Sequence, residues 1–285
     1  MVVKREMTTL GIIAGGGELP LAIAESAHEA GQSVFVLALS GADDGLSRFP
    51  REEAGLGELG KSLSLLKKHG CEAVTFAGRV SRPVWSDLKL DARGVLALPK
   101  VAAAALKGDD ALMRAMLAIF EKEGFRVIGT AEAAPGLIAK AGIYGRHKPD
   151  GQAQADIAQA RAVVRSMGAL DIGQAAAVAD GLVLAVEAAE GTDAMLERLT
   201  HLPKNLRGTP QKRRGVLVKA PKPTQDRRVD LPVIGVRTIE LASASGLSGV
   251  AVEAGAALLI RKTEVVETAD RLGLFVMAFE PLALP

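Results

Sequence analysis

The sequence predicts an α/β protein: a Rossmann-like parallel-sheet N-terminal domain followed by a second α/β domain. Three observations carry this. Short apolar runs alternate with longer helical stretches, the pattern of parallel strands joined by crossovers. Apolar residues make up 48% of the chain but aromatics only 3%, so the core must be built from Ala, Val and Leu, as where helices cover buried strands. A length of 285 residues suffices for two domains of ordinary size.

Thr9–Ala14 reads as a buried first strand, and Gly15-Gly16-Gly17 turns the chain. Pro20 sits in a first helical turn, where its missing N–H costs little, so a helix is expected over Glu18–Ala30 with Gly31 closing it. Ser33–Leu39 is the second strand. Gly57–His69 is a helix with Leu59, Leu63 and Leu66 on one face. Ala73–Ala77 is the third strand, Asp110–Glu123 a strong helix and Phe125–Gly129 the fourth strand. Residues 141–152 contain Gly, Pro and Lys without periodicity, which predicts a first domain over 1–141, a linker over 142–152 and a second domain over 153–285. That domain opens with a helix over Gln154–Met167. Strands follow at Ala175–Val178, Leu182–Val186, Val216–Lys219 and Val233–Val236, then a helix over Arg237–Ser245 and a last strand at Leu274–Ala278. The polar stretch His201–Arg214 is too long for mere connection and is expected to be mobile or functional.

Composition excludes several classes. A net charge of +2 gives no field for nucleic acid, and no aromatic platforms stand among the basic residues. The single Cys71 forbids an intrachain disulfide and a CxxC metal site, and its strand-start setting predicts a small buried residue. No apolar run approaches the roughly 18 residues a membrane span needs, so a soluble, cytoplasmic protein is expected.

Five constellations remain. Gly15-Gly16-Gly17 after a strand can bring amides and a helix N-terminus to a phosphate, or it is a tight turn needing positive φ. It is a poor dinucleotide fingerprint, since Pro20 takes the third glycine position, which disfavours an NAD-dependent oxidoreductase. Arg79 and Arg82 follow the third strand at the same sheet edge, where forked donors suit a diphosphate or make surface salt links. Of Asp109 and Asp110, one is expected to cap the next helix and the other to orient a hydroxyl or a metal-bound water. Glu187, Glu190 and Asp193 crowd the end of an apolar strand; their repulsion invites a cation, unless the segment is a charged loop with Thr192 capping a helix. Asp226 lies in a proline-stiffened loop between Gln225 and Arg227. Carboxylates beside cations suit metal-assisted chemistry on a phosphorylated substrate.

The segments Gly15–Pro20, Gly78-Arg79-Val80-Ser81-Arg82-Pro83, Gly108-Asp109-Asp110, Asp171-Ile172-Gly173-Gln174-Ala175, Glu187–Asp193 and Pro223–Pro232 occur in that order over nearly the whole chain. With them the chain closely resembles the LpxI family, the UDP-2,3-diacylglucosamine pyrophosphatases of lipid A biosynthesis. Val229 departs from the family pattern, where an aromatic is common, and the first six residues fall outside the likeness. The resemblance implies hydrolysis of UDP-2,3-diacylglucosamine to UMP and 2,3-diacylglucosamine 1-phosphate (lipid X) with Mg²⁺, in a Gram-negative bacterium. On that reading the first domain binds the UMP moiety and the second is catalytic and lipid-binding. Asp226, Glu187 and Asp193 are the expected catalytic residues, and Asp226, Glu190 and Asp193 the expected metal ligands. Substrate contact is expected from Gly15, Gly16, Gly17, Arg79, Arg82, Asp109, Asp110, Gln174, Thr192, Lys219, Gln225 and Arg227. The expected partner is a lipid-linked nucleotide sugar, with peripheral contact at the cytoplasmic face of the inner membrane and self-association as a homodimer; nucleic acid is not expected. A non-catalytic nucleotide-sugar-binding regulator is the alternative.

Overall fold

The computed structural model describes residues 9–39, 42, 44–80, 84, 87–223, 228 and 231–281. The chain divides into two compact units, the first running to Gly136 and the second beginning at Leu137, with Arg228 counted in the first.

The first unit is built on a five-stranded sheet. Its strands are β1 (Thr9–Ala14), β2 (Val34–Ala38), β3 (Arg51–Glu53), β4 (Cys71–Ala77) and β5 (Arg126–Val127), in the order β3-β2-β1-β4-β5. Every pairing is parallel. The strand order therefore reverses between β1 and β4, and a crevice for ligands belongs at the carboxyl ends of those two strands. The helices are α1 (Leu19–Glu29), α2 (Leu59–Lys68), α3 (Ala92–Ala105), α4 (Asp109–Lys122) and the short α5 (Thr130–Ala133). Leu63 and Leu66 of α2 and Leu117 and Phe120 of α4 join Phe35, Leu37 and Val74 of the strands in one apolar cluster. Ala22, Ile23, Ala24 and Ala27 of α1 are buried as well. Cys71 is a packing residue, 6% exposed, with its thiol pushed up to about 11 by burial.

The second unit is a six-stranded mixed sheet. It contains β6 (Gly142–Tyr144), β7 (Ala175–Ala179), β8 (Leu182–Val186), β9 (Val216–Lys219), β11 (Gly249–Glu253) and β13 (Phe275–Phe279), in the order β6-β13-β11-β9-β7-β8. β9, β11 and β13 are mutually parallel, while β6 and β7 run against their neighbours and β8 against β7. A separate parallel pair joins β10 (Val233–Ile234) to β12 (Leu258–Leu259). The helix α6 (Gly151–Ala169) buries Ala153, Ile157, Ala160 and Val164 in a cluster with Val178, Val216 and Val218. A second cluster collects Met195, Leu196 and Leu199 of α7 (Gly191–Leu199), Ile239 and Ala242 of α8 (Val236–Ala244), and Val265 and Ala269 of α9 (Lys262–Leu272) with Leu217, Val250 and Val276. β7, with the sequence Ala-Ala-Ala-Val-Ala, is wholly buried; its small side chains suit close helix packing.

Two expectations are corrected. The segment 142–152 is not a linker: Gly142–Tyr144 pairs antiparallel with β13, and α6 starts at Gly151 behind an N-cap in which Asp150 accepts from the Ala153 amide at 2.8 Å. The irregular composition reflects an edge strand and a turn in which Gly145 holds φ +85° against Asp270. The basic stretch His201–Arg214 is also structural. Arg207 donates to the carbonyls of Thr200, Leu202 and Gly208, and Arg213 to those of Ser243 and Leu247. These guanidiniums satisfy carbonyls left over at the ends of α7 and α8.

Candidate active site

In the first unit the glycine turn and the segment after β4 are zipped together at the carboxyl edge. The Gly15 amide donates to Ala77 O, and Gly16 and Arg79 exchange two backbone hydrogen bonds of 2.8 Å. Added Cβ atoms show how close the backbones run: at Gly15 one would lie 2.5 Å from Arg79 O, and at Gly78, with φ +88°, 2.7 Å from Gly16 O. The amides of Gly15 and Gly16 are thus spent on the fold. Gly17, which holds φ +95°, follows them and leads into the first turn of α1. Arg79 is exposed, its Nε 3.9 Å from where a Gly17 Cβ would sit, and no carboxylate pairs with it among the described residues. Since α4 feeds β5, which runs parallel to β4, α4 starts at this edge too. Its N-cap is Gly108, so both aspartates stand inside the helix rather than at its cap position, and Asp110 pairs with Arg114 one turn on. Asp109 is the first residue of α4.

In the second unit several of the expected site residues converge by topology. Lys219 ends β9. Ala175, opposite it, begins the antiparallel β7, so Gln174 stands at the same edge. β8 runs back antiparallel to β7 and delivers Glu187 there, and α7 then starts at Gly191 with Thr192 in its first turn. The chain leaves β9 from this edge after Lys219; Gln225, Asp226, Arg227 and, in the first unit, Arg82 lie outside the described residues. Gly173 makes the approach possible. A Cβ there would sit 2.1 Å from Glu187 O, so only glycine lets the strand entering at Gln174 pass the strand leaving at Glu187.

The carboxylates of the acidic segment separate. Glu187 is 8% exposed; its Oε1 accepts from Thr192 Oγ1 at 3.0 Å, and its Oε2 is buried without a partner. Thr192 therefore orients Glu187 rather than capping α7. Glu190 pairs with Arg198 at 2.8 Å and Asp193 with Arg237 at 2.9 Å, so arginines relieve the repulsion that seemed to call for a cation. Lys219, 6% exposed, donates from Nζ to Val233 O at 3.0 Å. Gln174 Oε1 is likewise buried without a partner. Among the described residues the only other such side-chain atom is Thr75 Oγ1, so two of three orphaned polar atoms fall at this edge. Buried acceptors without donors call for a ligand, a water or an ion.

These donors fit a divalent ion in part. Gln174 Oε1 and Glu187 Oε2 are the hard oxygens that Mg²⁺ takes. Glu190 and Asp193 are engaged by arginines, and among the described residues no group of three or more His, Cys, Asp or Glu is arranged to hold a metal.

Comparison with known proteins agrees with this division into halves. The LpxI N-terminal domain model matches residues 9–137 and the LpxI C-terminal domain model residues 140–277. The UDP-2,3-diacylglucosamine pyrophosphatase LpxI of Caulobacter vibrioides is 49% identical over 280 residues, covering 98% of this chain and all of that one. A solved structure, CobK precorrin-6A reductase, aligns over 98% of this chain and 90% of its own at 15% identity with a TM-score of 0.28, too slight a likeness to carry an argument.

Proposed function

The chain belongs to the LpxI family, and we propose that it hydrolyses the diphosphate of UDP-2,3-diacylglucosamine to UMP and 2,3-diacylglucosamine 1-phosphate, in the cytoplasm. The observation that carries the reading is the near-full-length identity to a pyrophosphatase of that name. The orphaned Glu187 and Gln174 oxygens at the edge from which the chain leaves β9 support it.

In this reading Gly17 and Arg79 hold phosphate oxygens of the uridine nucleotide. Arg82, Asp109 and Asp110 contribute from the same edge of their unit. In the second unit Gln174, Lys219, Gln225 and Arg227 orient the diphosphate, with Lys219 offsetting its charge. Asp226 and Glu187 stand for the attacking water. Thr192 fixes one Glu187 oxygen so that the other is presented to the substrate side. A carboxylate so held accepts a proton from water as the P–O bond forms and the leaving phosphate departs. Mg²⁺ is part of the proposal; its oxygen ligands would be Asp226 with Glu187 or Gln174, and Glu190 and Asp193 only after release from Arg198 and Arg237. The chemistry it supplies when bound is neutralisation of the diphosphate and a lowered pKa for a ligated water.

Purified protein incubated with UDP-2,3-diacylglucosamine should release UMP, and EDTA should abolish the release until excess Mg²⁺ restores it. Binding of the nucleotide sugar with no UMP at any metal concentration would identify a regulator instead, and full activity in EDTA would remove the metal from the account.

Glu187→Gln keeps the shape and the Thr192 hydrogen bond but removes the charge. We expect kcat to fall on the order of a hundredfold, with the melting temperature unchanged or raised because a buried charge is gone. Steady-state kinetics beside a thermal melt checks this; unchanged kcat would leave Glu187 a purely structural residue.

A further inference from the structure

Of the helices in the first unit, α3 is turned the wrong way round. It exposes large apolar side chains: Leu96 is 81% exposed, Leu106, at its C-cap, 91% and Val95 55%. Gly94 is its only buried residue. At 3.6 residues per turn, Val95, Leu106, Pro99, Ala103 and Leu96 fall on one continuous stripe. Along one border of that stripe stand Arg93, Lys100 and Lys107, seven residues apart. From Ala92 to Lys107 there is no Asp or Glu. Arg93 is paired with Glu123, whereas among the described residues no carboxylate pairs with Lys100 or Lys107. An exposed apolar stripe edged by unneutralised cations is the surface of an interfacial helix, which seats its apolar side chains among acyl chains and its lysines on anionic headgroups. No described helix is long and apolar enough to cross a membrane, so contact would be peripheral.

We propose that α3 docks the protein on an anionic phospholipid surface, with Leu96, Leu106 and Val95 entering the bilayer interface and Lys100 and Lys107 contacting its headgroups. Charge selects this occupant over a second copy of the chain: two copies meeting through α3 would bring like charges together. The basic stretch ending at Arg214 is less suited to such a surface, since Arg207 and Arg213 are engaged by backbone carbonyls. The docking stands apart from the substrate assignment, since it requires no catalysis.

The test is co-sedimentation of the full chain with vesicles of phosphatidylcholine alone and of phosphatidylcholine mixed with phosphatidylglycerol. Wild-type protein should sediment with the mixed vesicles and not the neutral ones, and high salt should release it. K100E/K107E should lower the partition coefficient by roughly 30-fold or more, two cations each contributing about fivefold. L96E/L106E should abolish sedimentation while keeping the wild-type melting curve, both side chains being exposed. Failure of wild-type protein to bind mixed vesicles would overturn the proposal. So would variants that bind like wild type, whether they instead disperse a concentration-dependent dimer or raise KM for dispersed substrate. Hydrolysis of detergent-dispersed UDP-2,3-diacylglucosamine by the same variants reports separately on the pyrophosphatase reading.

Discussion

Replacing Asp226 with alanine should lower kcat by at least about a thousandfold, equivalent to roughly 4 kcal/mol of barrier. Asp226 lies outside the described residues, seven positions after the end of β9; on the proposed reading its carboxylate serves the water, the metal or both. If the carboxylate's role is chemical, circular dichroism and melting temperature should match wild type, and substrate should still bind. Asp226→Asn separates charge from shape and should be nearly as inactive. A variant retaining more than about a tenth of wild-type kcat, a loss of only about 1.4 kcal/mol, would reject a central role for Asp226.

The largest effect on stability is expected at Gly173→Ala. The new methyl would fall 2.1 Å from Glu187 O and 2.8 Å from its carbonyl carbon, both backbone atoms, so no side chain can swing aside. Overpacking of this kind costs on the order of 1–3 kcal/mol, and the relief available is to move Gln174 and Glu187 apart. Melting temperature should fall by roughly 3–10 °C, and kcat should fall with it at temperatures where the variant is folded. Gly151→Ala, in the first turn of α6 with nothing within 4 Å of the added atom, is the control and should be near neutral. Equal melting curves for the two variants would show that the strands do not pass as closely as described.

The first unit was largely legible because its strands are buried apolar runs bounded by glycine. β1 falls at Thr9–Ala14 as read, and α1, α2 and α4 end within two residues of expectation. What escaped were β3, an Arg-Glu-Glu strand with no apolar run, the single-turn α5, and α3, where Gly94, Pro99 and a run of alanines blur the helical period and the apolar face points outward. In the second unit several strands were found, but β6, β11, β12 and α9 were not. Nor was the pairing direction, because β7 and β8 differ from parallel strands only in their connection through Asp180 and Gly181, both at positive φ. At the site, the acidic segment looked like a metal cluster because its answering cations are remote. Arg198 lies on the next helix and Arg237 is 44 residues from Asp193. The roles of Gly78 and Gly173 were also invisible, since close backbone approach leaves only a glycine in the sequence. Here the signal was present, a glycine beside each motif residue, but it fits many turns equally well.

Hydrolysis of UDP-2,3-diacylglucosamine can be followed by ³¹P NMR in the presence of the purified protein and Mg²⁺. The account predicts that the two diphosphate resonances give way, in equal amounts, to the monoesters of UMP and 2,3-diacylglucosamine 1-phosphate, and that the Asp226→Ala protein leaves them unchanged. Persistence of the diphosphate with wild-type protein, or its appearance as free UDP, would contradict it.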